Sequence, residues 1–322
     1  MAVRPIAAAP TPSTGSMSRG RTRLWQRIWQ MRVAYVFIIP ALAFLILFEY
    51  WPAFLALKEA FYDWDGFRIN NFIGLSNFRE LAGDEVFRKS LVNILLIFLF
   101  YLTLPFVVPI VIAEAIFNLA SERAQGFWRV FLLIPAIVPS LVTLLLWQYL
   151  YNPVDGFLNT VLTAWGQKPG LWLASPDTAL WAYMLIGFPW ASGTAMLIYF
   201  AGLQNIPQDV IDASRLDGAG TWTRIRRIDL PLLMGQIRLF AVLTVIETFQ
   251  RYVSVLILTD GGPANATIVP GLHLFHKAFS GNRLGYASAI GLVMFACILA
   301  LTLINQVLLK SPDTETRGQA TV

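Results

Sequence analysis

Glu247 and Arg251 stand four residues apart near the middle of an apolar stretch, in Ile246-Glu247-Thr248-Phe249-Gln250-Arg251-Tyr252. A charge at the centre of a bilayer costs about 2.5–3.5 kcal/mol on insertion scales, so in a membrane span both must face protein or water. Two readings follow. In one, the acidic residue neutralises the basic residue four positions later on the same helix. In the other, the two line a polar path. A hydroxyl-rich solute is held by charged and amide groups beside aromatic platforms, and Gln250, Tyr252, Trp190 and Asn93 are the neighbours expected to join them. His273 and His276 are the only histidines, three apart in Leu272-His273-Leu274-Phe275-His276. That spacing suits a metal, but no cysteine or nearby carboxylate completes the three or four ligands a site takes, and no metal is expected. A Gly-x-x-x-x-Gly-Lys-[Ser/Thr] phosphate loop is absent, and no nucleophile, base and acid form a set. The expectation is therefore a chain without catalytic residues or a cofactor of its own.

The elements that must position these residues are read from composition. Of 322 residues, 57% are apolar before the 22 Gly are added, and 13% are charged. Soluble domains average about 45–50% apolar with Gly counted and about 25% charged. Too few charges are present to coat a soluble surface, and the chain is too apolar to be disordered. One cysteine, Cys297, excludes a disulfide framework. An integral membrane protein remains. A helix crosses the hydrocarbon layer with about 20 apolar residues, and six such windows occur: 33–52, 91–113, 130–152, 178–202, 239–259 and 286–309. Four of them contain no Asp, Glu, Lys or Arg, and none shows the ten-residue alternation of a membrane barrel. The expected fold is all-α, a polytopic bundle of six transmembrane helices. Trp51, Trp147 and Trp181 near span ends suit aromatic belts.

An even number of spans puts both termini on one side. Fifteen of the 24 Lys and Arg fall on that side, in the basic segment 1–32, at Arg123 and Arg129, from Arg215 to Arg238, and in the tail 311–322 with Lys310 just before it. The positive-inside rule makes this side cytoplasmic. Basicity is thus topological, and no nucleic-acid partner is expected. The first window follows a basic run as a signal peptide does, yet it exceeds a 7–15-residue apolar core and lacks a cleavage site, so it is expected to stay as an anchor. The division is a cytoplasmic tail 1–32, a membrane domain 33–310 and a cytoplasmic tail 311–322. Prolines at 105, 109, 135, 139 and 189 fall inside spans, where they kink helices and free backbone groups to line a cavity.

The inner loop 204–232 between the fourth and fifth spans has its own pattern. Pro207 can start a helix, Asp209 and Asp212 suit its N-terminal end, and Ile206, Val210, Ile211, Ala213 and Leu216 recur at helical spacing. Gly218 and Gly220 end it, and a second short helix over 222–228 is expected to stop before Pro231. The bland alternative is an amphipathic helix on lipid headgroups. Charges of alternating sign (Asp212, Arg215, Asp217, Arg224) suit a protein surface better.

Here the chain resembles the permease subunits of binding-protein-dependent ABC importers. Their inner loop reads Glu-Ala-Ala, three residues, Gly, nine residues, Ile-x-Leu-Pro. The corresponding residues are Asp212-Ala213-Ser214, then Gly218, then Ile228-Asp229-Leu230-Pro231, with Asp for Glu and Ser for the second Ala. Further stretches, at 74–78, 135–153 with 156–159, 190–204, 259–263 with Thr267, and 284–290, resemble the carbohydrate branch, of the maltose and glycerol-3-phosphate type, over about 34–310. The resemblance implies a prokaryotic plasma-membrane protein paired with a second permease as a heterodimer. It also implies two nucleotide-binding ATPase subunits that hold ATP and Mg, an extracytoplasmic solute-binding protein, and a sugar or sugar derivative as cargo. It makes the inner helix a coupling helix, with Asp212, Ala213, Ser214, Arg215, Asp217, Gly218, Ile228, Leu230 and Pro231 contacting the ATPase. Two rivals stay open on the residues alone: an ion-coupled secondary transporter using Glu247 as its proton site, and a membrane scaffold that transports nothing.

Overall fold

The computed structural model describes residues 32–308; the basic N-terminal segment and the C-terminal tail lie outside the described residues. Two compact units meet between Leu55 and Ala56. The first holds α1 (Arg32–Leu45), a wide π turn (Ile46–Tyr50) and the start of α2 (Trp51–Glu59). Tyr35–Glu59 is one continuous apolar helix of 25 residues, ample for a span.

In the second unit a short antiparallel ribbon, β1 (Tyr62–Trp64) with β2 (Asn70–Phe72), departs from the all-α expectation. Asp65 Oδ1 builds its turn by accepting the amides of Phe67, Arg68 and Ile69. Next comes α3 (Ser76–Gly83), where buried Asn77 donates to the carbonyls of Ala60 and Tyr62 and so pins the ribbon to it. Asp84 then caps α4 (Glu85–Tyr101), and α5 (Leu104–Phe117) continues the same line after a short break. Pro105 sits in the first turn of α5, where its missing N–H is not needed.

The remaining expected spans are not continuous helices, with one exception. α6 (Glu122–Leu133), with a tight turn through Ile137, meets α7 (Ser140–Leu150) at 83°, at Pro139. After α8 (Phe157–Ala164), the fourth window divides into α9 (Ala179–Met184) and α10 (Gly193–Gln204), with residues 185–192 non-helical. The inner loop forms α11 (Gln208–Leu216), α12 (Thr221–Arg224), a π turn (Ile225–Asp229) and α13 (Leu230–Leu232). The fifth window is cut at 250–252 into α14 (Met234–Phe249) and α15 (Val253–Leu258). α16 (Pro270–Phe275) precedes α17 (Leu284–Leu308), which matches its window. Among the described residues three helices are long and apolar enough to cross a membrane, or five if each bent pair counts as one. Six spans kinked at their prolines were expected; the third and fourth windows break beside Pro139 and beside Gly187 and Pro189, where the ladder stops though hydropathy runs on, whereas the break in the fifth window has no proline or glycine within the window.

Three apolar clusters hold the helices; one of them packs α17 on α3 and α4 through Leu81, Phe87 and Ile290. A second joins α4, α9, α14 and α15 through Ile97, Met184, Val245 and Val255. The third joins α5, α10 and α11 through Ala113, Met196, Leu203 and Ile211, with Leu233. Gly202 lets Leu233 approach so closely that a Cβ there would lie 2.6 Å from Leu233 Cδ2.

Candidate functional site

The breaks in the helices converge. A cavity of about 950 Å³ is walled by residues beside each of them: Tyr101 and Pro105, Pro135 and Ser140, Trp190 and Gly193, Gln250 to Ser254. Non-helical backbone at membrane depth is tolerated where it lines a polar space. Trp190 takes a left-handed φ of +57° in the break and packs edge-on against Phe100 and Phe188. Glu247, Gln250, Arg251, Tyr252 and Trp190 all line this cavity, so five of the six expected pathway residues meet.

Glu247 and Arg251 do not form the intrahelical pair of the first reading. Gln250 closes α14, so Arg251 lies past the helix end and the i,i+4 geometry is lost. Its guanidinium instead sits 4.7 Å from the centre of the Tyr101 ring, and among the described residues it makes no ion pair. Among the described residues, Arg251 Nε and Trp190 Nε1 are buried donors with no partner. Residues bearing a carboxylate, an amide and a guanidinium thus line one space beside aromatic rings, with the Trp190 N–H buried in its wall. That set can donate to and accept from hydroxyl groups. Tyr101 escaped sequence reasoning; its only signal was a tyrosine two residues before the Thr103-Leu104-Pro105 break.

Asn93 is elsewhere. Its amide is buried and donates to the carbonyls of Ala266 (3.1 Å) and Ile268 (2.9 Å), tying α4 to the loop before α16. Losing the donor strands two buried carbonyls, which costs about 1–3 kcal/mol. Asn93→Ala is expected to lower the thermal midpoint of the purified protein and leave its solute affinity unchanged. A changed affinity at unchanged stability would return Asn93 to the pathway.

The histidines are also parted. His273 Nε2 donates to Asp84 Oδ2 (2.9 Å), which Tyr286 also reaches, while His276 bonds Asp260 Oδ1 (2.9 Å). Carboxylates remote in sequence supply the partners that the local sequence lacked. Burial raises the Asp84 pKa, but amide, Tyr286 and His273 hydrogen bonds outweigh it and hold the group at about 2. Burial lowers that of His273.

On the inner loop, α11 forms as expected, and Gly218 ends it with φ +75°. Asp212, Ala213, Arg215, Asp217 and Pro231 are exposed, with Leu216 and Trp222 beside them. Asp212 pairs with Arg215 at 3.4 Å. Ser214, Asp217, Gly218 and Ile228 line a cleft of about 330 Å³, and Leu230 is half-buried behind it. Ser214 itself is buried and bonds the Ile211 carbonyl. The second helix does not stop before Pro231. The Leu230 amide reaches back to the Ile225 carbonyl, a five-residue bond whose wider turn admits the proline ring at the start of α13, and the chain bends by 67° just after it.

Residues 106–312 match the family described as the binding-protein-dependent transport system inner membrane component. A probable ABC transporter permease protein of Bacillus subtilis (strain 168) is 31% identical over 88% of this chain and 98% of its own length. A probable starch degradation products transport system permease protein of Thermoanaerobacterium thermosulfurigenes is 27% identical over 87% and 95%. A solved bacterial alginate ABC transporter, in complex with an alginate pentasaccharide-bound periplasmic protein, contains a chain of the same fold. Its TM-score is 0.79, with 21% identity over 90% of this chain and 99% of that one.

Proposed function

The chain belongs to the family of binding-protein-dependent transport system inner membrane components, and from that premise we propose that it is one of two permease subunits of an ATP-driven sugar importer. The convergence of four helix breaks on one cavity containing Glu247, Gln250, Arg251, Tyr252 and Trp190 carries this reading. A cavity of that size falls within the range of small-ligand sites, and its mixed donors and acceptors suit a polyhydroxylated solute. The sugar class draws on the relatives, one of which is named for starch degradation products.

In this reading six spans, several of them broken, cross the plasma membrane of a prokaryote with both termini in the cytoplasm. Residues 33–310 form the membrane domain between two short tails. A second permease completes the pathway, and a solute-binding protein delivers sugar from outside. Two ATPase subunits hold ATP and Mg. Segment 204–232 receives their motion through Asp212, Ala213, Ser214, Arg215, Asp217, Gly218, Ile228, Leu230 and Pro231, with Leu216 and Trp222 as exposed apolar contacts. Helices broken beside the cavity can rotate as halves, which opens the site to one side at a time.

Family membership lends no support to the ion-coupled alternative. In vesicles reconstituted with all subunits, uptake is expected to require ATP and the binding protein and to survive an uncoupler. Uptake that collapses with the proton gradient and ignores ATP would overturn the proposal.

A further inference from the structure

Arg224 and Asp229 are the most deeply buried ion pair among the described residues. Their side chains are 8% and 0% exposed, and Arg224 Nε donates to Asp229 Oδ2 at 2.9 Å. They stand five residues apart, a spacing that faces away on an α-helix but comes together across the π turn between them. The same guanidinium donates to Asn118 Oδ1 at 2.6 Å and lies 5.7 Å from the centre of the Phe117 ring. Asn118 in turn donates to the Glu114 carbonyl (2.8 Å), and Glu114 is itself buried. One side chain of the inner loop is therefore bonded into the end of α5.

A stabilising purpose does not account for this cluster. It sets two carboxyl groups against one guanidinium, and among the described residues Asp229 Oδ1 and Glu114 Oε1 are buried without a partner. Apolar residues of the same volume would often serve stability as well or better. Direction is what such a cluster supplies that apolar packing does not, because planar hydrogen bonds hold one relative placement. The far end of α5 explains what that placement is for. Pro105, Phe106 and Pro109 wall the cavity, while Ala113 and Ile116 pack with α10 and with Ile211 of α11.

We propose that Arg224 is a positioning residue that makes the inner segment and α5 one lever: through Asp229 and Asn118 it carries displacement of the segment to the cavity wall. This rests on the reading of segment 204–232 as the ATPase contact. The test uses the assembled transporter with Cys297→Ser and Phe106→Cys in this chain, and reads the rate at which a small methanethiosulfonate reagent labels Cys at 106 before and after ATP with vanadate. In the otherwise unmodified chain, nucleotide trapping is expected to change the labelling rate by about tenfold, in line with the coupling energies mutations along such networks modulate. Arg224→Ala should trap nucleotide as before yet shift the rate less than twofold, with Arg224→Lys intermediate. Asn118→Ala cuts the bond to α5 and leaves the ion pair whole, so it keeps the test decisive if Arg224→Ala does not assemble; it should also blunt the shift.

A full shift in Arg224→Ala or Asn118→Ala overturns the proposal. So does loss of trapping and shift together, the mark of a merely structural role, or the absence of any shift in the unmodified chain. Gly218→Pro separates the two levels of inference. If it too traps and shifts normally, the ATPase-contact reading has failed; if it alone is defective, only the role of Arg224 has.

Discussion

Arg251→Ala lowers sugar uptake by about ten- to a hundredfold, the equivalent of losing one charge-assisted hydrogen bond at about 1.5–3 kcal/mol. The guanidinium is held from one side by the Tyr101 ring at 4.7 Å. Its Nε is buried with no hydrogen-bond partner among the described residues, in a wall of the cavity. Arg251 lines the cavity, where an oxygen-rich ligand can accept from its guanidinium. Arg251→Lys keeps the charge and loses the planar stacking, so an intermediate rate is expected. Glu247→Ala should weaken uptake less, because that carboxylate is exposed to the cavity. Uptake and binding-protein-stimulated ATP hydrolysis measured in the same vesicles separate pathway from coupling. Only uptake should fall steeply. Wild-type uptake in both Arg251→Ala and Glu247→Ala would remove the fifth window from the pathway.

Gly218→Pro reduces stimulated ATP hydrolysis to the basal level. Gly218 ends α11 at φ +75°, and its amide donates to the Arg215 carbonyl at 3.1 Å. Proline is locked near −65° and has no amide hydrogen, so both the turn and the bond are lost. The exposed face carrying Asp212, Arg215 and Leu216 then leaves its position relative to Trp222 and Ile228. Gly218→Ala is milder, at about 1–2 kcal/mol for a left-handed residue with a side chain, because no atom lies within 4 Å of the added Cβ. Insertion and pairing with the second permease should persist in both variants, since Gly218 is exposed and outside the three apolar clusters. Stimulation at the wild-type level in Gly218→Pro would sink the assignment of this segment.

Much of this was legible residue by residue. The inner helix, its end at Gly218 and the in-span prolines depend on φ preference, capping and a missing N–H, which act within a few residues. The membrane class rests on a transfer energy that sums over the chain whatever its topology. Glu247 and Arg251 could be placed in the cavity wall because a charge in an apolar stretch is costly wherever the helices go.

Partnership was not legible. The spacing of Glu247 and Arg251 promised an ion pair only if the helix continued through 251; it ends at Phe249, and the cation goes to Tyr101. Asn93 has the same polarity as a pathway residue but meets backbone 175 positions away. Arg224 finds Asn118 across 106 residues, and finds Asp229 through a π turn that no helical period announces. Local chemistry settled which residues cannot face lipid and where the helices must stop, because those costs are paid at the residue itself. Tertiary packing alone chose their partners, because a buried polar group takes whichever donor or acceptor the fold brings within about 3 Å, and sequence distance does not enter that choice.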